Sequence, residues 1–127
     1  MGWFSKDKRK DVWDDANGEP AGDIEAAKLI REICRSAADS AEKVGSAADL
    51  TARKIKGEVE RYERAARAAM EIAMKISDGL LRDAAVRQIV ELCLKAGNLA
   101  TAQTLYRAIQ AQSIRDEVRR DFPQLEP

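Results

Sequence analysis

Apolar residues recur along this chain at alternating steps of three and four. They run first through Ala27, Ile30, Cys34, Ala37, Ala41, Val44 and Ala48, then through Ile55, Val59, Tyr62, Ala66, Ala69, Ala73 and Ile76. Such spacing lays one stripe along an α-helix, and two such runs predict helices packed at a shallow angle. Residues 23–76 contain no proline and are rich in alanine and charged residues, the composition of long helices. Gly45-Ser46 is the candidate break: Gly45 reads as a left-handed C-cap and Ser46 as the next N-cap, with Asp49 at the third helical position. This favours a hairpin with helices near 23–44 and 47–76. The alternative is one uninterrupted helix of about 80 Å at 1.5 Å per residue. Gly57 costs only about 1 kcal/mol relative to alanine inside a helix and forces no break.

From residue 77 to 112 the pattern thickens. Leu81, Ala85, Ile89, Leu92 and Ala96 recur at helical spacing while Val86, Val90 and Cys93 fill an adjoining stripe, so this helix is predicted to be buried on two sides. Ala96-Gly97-Asn98 supplies its end, because glycine adopts the left-handed conformation without steric cost. A second helix follows, with Leu99, Ala102, Leu105, Tyr106 and Ile109 on one face. Ile114, Val118 and Phe122 then lie four apart ahead of Pro123, which predicts a short capping helix.

Shifting the chain by 33 residues places Ile76, Leu81, Arg82 and Asp83 on Ile109, Ile114, Arg115 and Asp116, and Ala69, Ile72 and Ala73 on Ala102, Leu105 and Tyr106. A period of about 33 to 34 residues marks stacked helical hairpins. Small Ala102 followed one turn later by Tyr106, after a Gly-Asn turn, resembles the tetratricopeptide-type hairpin over roughly residues 69–122. Two features depart from that family: its large aromatic and Leu-Gly pair are missing around Ala85 and Val90, and Pro123 comes late. The resemblance implies a right-handed helical stack that binds other proteins on a groove, without catalysis. About one and a half repeats are visible where at least three are usual, so further burial must come from the N-terminal helices, another subunit or a partner. Alanine seams bury little area, at roughly 25 cal/mol per Å², which also points to a homo-oligomer or a bound protein. The expected fold is all-α: a long antiparallel hairpin over 23–76, then a tetratricopeptide-like hairpin and short cap over 77–122, in one domain spanning 22–127.

Charge narrows the function. The 127 residues carry 22 basic and 22 acidic side chains, which gives no overall electrostatic case for nucleic acid or an acidic membrane. The stretch 53–67 is locally basic through Arg53, Lys54, Lys56, Arg61, Arg64 and Arg67, and would serve a nucleic-acid-binding accessory protein. Against that, Asp49/Arg53, Glu60/Arg64, Glu63/Arg67 and Glu71/Lys75 are acid-first pairs one turn apart, the pattern of a solvated helix face. Arg82-Asp83 and Arg115-Asp116 open successive helices, either as equivalent ligand-facing charges or as ordinary helix-end electrostatics.

Catalytic chemistry finds little support. Histidine is absent, removing the commonest general base and metal ligand. Cys34 and Cys93 lie far apart on apolar stripes, with no zinc spacing, and read as small buried thiols of a reducing cytoplasm. Asp14-Asp15 stands in a polar segment, residues 11–19 lack the ligand spacing of a calcium loop, and no Gly-rich phosphate loop occurs. No enzyme activity and no cofactor are expected.

Residues 1–21 form a polar arm carrying Trp3, Phe4 and Trp13 among Lys6, Asp7, Lys8, Arg9 and Lys10, and ending in the turn-like Asn17-Gly18-Glu19-Pro20. These aromatics either fold back over the bundle, anchor a partner protein, or dip into a membrane interface beside the basic cluster. No apolar run of about 18 residues exists, and no signal peptide is indicated. Together these readings describe a cytoplasmic, non-catalytic protein-protein interaction module, acting as an adaptor, chaperone-like protein or regulatory subunit. The alternatives are a nucleic-acid accessory protein and a peripheral membrane protein. Candidate partner-binding residues are Trp3, Phe4 and Trp13 in the arm and Arg82, Tyr106 and Arg115 on the repeat.

Overall fold

Among the described residues, five helices and a closing turn are packed as successive antiparallel hairpins. The structure is a computed structural model describing residues 22–46 and 51–126. The helices are α1 (Asp23–Gly45), α2 (Ala52–Ala73), α3 (Gly79–Lys95), α4 (Leu99–Ala108) and α5 (Gln112–Asp121), followed by a 3₁₀ turn (Pro123–Leu125). The protein is all-α, and the break expected near Gly45 is real: α1 packs against α2 as a hairpin.

The details of that break differ from the sequence expectation. Ser46 does not start the second helix; it closes α1, its Oγ donating to the Glu42 carbonyl at 2.8 Å. The N-cap of α2 is Thr51, whose Oγ1 accepts the Lys54 N–H at 3.3 Å, and Asp49 falls outside the described residues. Nor is Gly45 a left-handed cap, since among the described residues only Gly97 has a positive φ. Glycine is needed at 45 for space: a Cβ there would run into the main-chain carbonyl of Lys95.

At the end of α3 the expected turn forms fully. Gly97, at φ 73°, donates to the Leu94 carbonyl at 3.0 Å, and Asn98 donates to that of Cys93 at 2.9 Å. These two bonds satisfy carbonyls that the helix end would otherwise leave unpaired. Asn98 then caps α4, its Oδ1 accepting the Thr101 N–H at 3.2 Å, while its Nδ2 donates to the Tyr62 hydroxyl on α2 at 3.1 Å. One residue therefore ends α3 through its backbone N–H, and through its side chain begins α4 and ties it to α2.

Helix α3 packs against each of the other four helices, the two-sided burial expected from its double stripe. Ala85, Val86, Ile89, Val90, Leu92 and Cys93 are all buried. It runs alongside α1 in the same direction, because their starts meet at Asp23 and Ser77 and their ends meet at Gly45 and Lys95. The α1 seam is rotated from the expected one: Ala26, Ile30, Ile33, Ala37 and Ala41 are buried, whereas Ala27 and Cys34 are half-buried. On α2, Tyr62, Ala65, Ala69, Ile72 and Ala73 are buried, and the three alanines among them leave room for close helix packing. Ala102, Tyr106 and Ile109 close the core from the α4 side, and Val118 and Leu125 from the cap. Pro123, expected only to end the cap, instead opens the turn that delivers Leu125 to the core.

Candidate functional site

Between the parallel helices α1 and α3 lies a groove of about 270 Å³. Its floor and walls are Cys34 and Ala38 from α1 and Leu92 from α3; Arg31, Arg35 and Lys95 supply positive charge, with Gln88 and Glu91 completing the lining. The single carboxylate is already engaged, since Arg87 Nε lies 3.2 Å from Glu91 Oε2. Lys95 stands 4.0 Å from Glu42, a loose pair, and among the described residues Arg31 and Arg35 make no hydrogen bond or ion pair. The groove is thus apolar at its base and positive at its rim, a combination suited to a segment with acidic and small apolar side chains.

The surroundings of Cys34 favour its protonated thiol. Burial, reinforced by Cys93 and Glu91, pushes its thiol up to about 12, and burial likewise raises the Cys93 thiol. Both cysteines are free. A thiol held protonated near neutral pH is a poor nucleophile. Among the described residues no group of three or more His, Cys, Asp or Glu side chains is placed to hold a metal ion.

A second basic cleft, of about 570 Å³, opens where the end of α1 faces the start of α2, lined by Lys43, Arg53, Lys54, Gly57, Glu58 and Arg61. Part of its charge is committed. Lys43 lies 3.1 Å from Asp39 and 3.7 Å from Glu58, and Arg61 crosses to α1, donating to Ser40 Oγ at 2.7 Å and the Ser36 carbonyl at 3.3 Å.

The residues singled out from sequence separate into three groups. Trp3, Phe4 and Trp13 lie outside the described residues. Tyr106 and Arg115 are brought together at the cap: the guanidinium sits 5.0 Å over the ring, and the buried Tyr106 hydroxyl donates to Glu126 at 3.0 Å. Arg115 also donates to the Ile109 carbonyl at 3.1 Å. Burial first, then Glu126, raises the Tyr106 phenol, while that hydrogen bond is the main cause of a lowered Glu126 carboxyl. These contacts hold the cap in place. Arg82 reaches the same region only through Asp83, its Nε 3.7 Å from Asp83 Oδ1.

Asp83 and Asp116, equivalent in the repeat, do different work. Asp83 is buried, and its Oδ2 accepts the N–H groups of Gln110 at 3.1 Å and Ala111 at 2.8 Å, just ahead of α5. Asp116 is exposed and pairs with Arg119 at 2.6 Å. Asp23 repeats the Asp83 device one hairpin earlier, accepting from the Ser77 N–H at 3.1 Å and the Asp78 N–H at 2.8 Å, just ahead of α3.

The groove residues Arg31, Arg35 and Lys95 escaped the sequence reading. One signal was present: Arg31 and Arg35 are like charges one helical turn apart, a pairing that disfavours an isolated helix by a few tenths of a kcal/mol. Comparison of the chain with protein-family models, with curated proteins and with solved structures gives no match. No helix among the described residues is long and apolar enough to cross a membrane.

Proposed function

We propose that this protein is a non-catalytic interaction module, an adaptor or regulatory subunit that receives another protein's segment in the α1/α3 groove. The observation that carries this reading is a groove with an apolar floor whose rim arginines, Arg31 and Arg35, are unengaged among the described residues. The resemblance of residues 69–122 to a tetratricopeptide-type hairpin supports it, because stacked hairpins of that kind line up their first helices into one face.

The test is an affinity pull-down from the native cell with the full chain, beside an Arg31→Glu/Arg35→Glu variant shown by circular dichroism to keep its helicity. A stoichiometric protein lost with the variant supports the groove. Recovery of nucleic acid alone would favour the cleft of Lys43, Arg53 and Lys54, and binding there should fall steeply with added salt.

A further inference from the structure

The lining of the α1/α3 groove has the same period on both sides. Helix α1 contributes Arg31, Cys34, Arg35 and Ala38, each set apart from the last by three, one and three residues. Helix α3 contributes Gln88, Glu91, Leu92 and Lys95 at the same steps. Each helix therefore presents two short rows of residues four apart, extending over about 10 Å of helix axis. Rows of this kind are the ridges and grooves into which another helix packs. At about 270 Å³ the groove lies just below the roughly 300–1,000 Å³ of small-molecule sites, and so suits side chains borne by a larger partner.

Charge and burial are divided between the rows. Cys34 and Ala38 are half-buried and Leu92 is buried, while Arg31, Arg35 and Lys95 are exposed. The carboxylates nearby are engaged, Glu91 by Arg87 at 3.2 Å and Glu42, loosely, by Lys95 at 4.0 Å. Arg31 and Arg35, unpaired among the described residues, stand one helical turn apart. Their separation, about 6 Å of rise, matches carboxylates four apart on a helix and also alternate residues of a strand. The apolar floor distinguishes the two. It lies beside both arginines at once, and a helix sets residue i+3 beside residues i and i+4, whereas a strand turns the residue between two like-facing ones to its other face.

We infer that the segment received in this groove is an acidic α-helix of another protein, with two carboxylates one turn apart facing Arg31 and Arg35. An apolar side chain beside them sits on Cys34, Ala38 and Leu92. The inference rests on the reading of the groove as a docking site, and adds the charge and conformation of what docks there. The apolar side chain supplies burial and the charges set register and partner choice. A second copy of this chain is a poor occupant: among the described residues, the only carboxylates four apart on one helix are Glu117 and Asp121, and Arg87 holds both.

The test places a photo-cross-linking amino acid at Gln88, a neutral position in the groove lining, in the full chain within its native cell, and identifies the captured segment by mass spectrometry. The expected product is a helix-patterned segment of another protein with carboxylates four apart. As a synthetic peptide, that segment should bind the full chain and gain helicity on binding. Its affinity should fall about tenfold in Arg31→Glu/Arg35→Glu and stay within about twofold in Arg31→Lys/Arg35→Lys. Capture of a neutral, basic or proline-rich segment of another protein would overturn this inference and leave the docking reading standing. Equal affinity for the charge-reversed variant would do the same. Capture of a second copy of this chain, or of no protein at all, would overturn both.

Discussion

The Asp83 carboxylate on α3 accepts the backbone N–H of Ala111 at 2.8 Å, and thereby sets where α5 begins. Helix α5 has no side-chain cap of its own, its N-cap being Ala111, so Asp83 supplies from another helix what Ser, Thr, Asp or Asn usually supplies locally. Hydrogen bonds to a charged acceptor contribute about 1.5–3 kcal/mol each, and a buried amide left unpaired is costly. Asp83→Ala should destabilise the protein by about 3 kcal/mol in urea unfolding. Asp83→Asn keeps one acceptor oxygen and should cost roughly half as much. Equal losses in the two variants would show that charge, rather than acceptor geometry, carries the effect.

Two glycines in the first hairpin should respond oppositely to alanine. Gly45→Ala drives a methyl group into the Lys95 carbonyl, and overpacking of this kind costs about 1–3 kcal/mol. Gly57, inside α2, has open space around the same position. Gly57→Ala should stabilise by about 0.5–1 kcal/mol through helix propensity and a less flexible unfolded chain. Thermal melts of the two variants, side by side, check both signs.

Arg87 is the hinge pin of the cap. From α3 it reaches Glu117 at 2.6 Å and Asp121 at 3.1 Å on α5, besides Glu91 on its own helix. All four side chains are partly exposed, so screening limits the global effect of Arg87→Ala to about 1 kcal/mol. The local effect should be larger. Amides of α5 should exchange with solvent faster in the variant while those of α3 stay protected, and raised salt should narrow the difference.

Acid should loosen both ends of the stack. Hydrogen bonds from Ser77 and Asp78 hold the Asp23 carboxyl below its ordinary 3.8, and the Tyr106 hydroxyl holds that of Glu126 below 4.5. A carboxylate with a depressed folded-state value stabilises fully above its unfolded value, and the contribution is lost as pH falls through the folded value. The melting temperature should therefore be flat down to about pH 5 and decline below about pH 4. Asp23→Asn should lower it at neutral pH and flatten the acid limb, as differential scanning calorimetry across pH would show.

The sequence made some of this legible and not the rest, for physical reasons. The double stripe of α3, the turn at Gly97 and the burial of Ala102 and Tyr106 were readable because each depends on spacing within one helix or on one residue's backbone freedom. The rotation of α1 was not: Ile33 and Cys34 are adjacent on the helix surface, and which one faces inward is settled by α2 and α3. Gly45 was recognisable as a helix end, but its reason is a carbonyl on α3. Asp83 looked like Asp116 because both stand at one repeat position, and only the Asp83 carboxylate has backbone amides of a following helix to receive. Arg31 and Arg35 became a site only when Lys95 and Leu92 were folded beside them.

The pairing of α1 with α3 at both ends has a consequence for the order in which the chain is made. Asp23 waits for the amides of Ser77 and Asp78, and Gly45 for the main chain at Lys95. Because α3 leaves the ribosome after α1 and α2, the flank of α1 that faces it is covered only after α3 has been synthesised. Transiently exposed apolar surface of this kind is what holdase chaperones bind and what drives early aggregation. The α1/α2 hairpin is thus completed only when α3 has joined it.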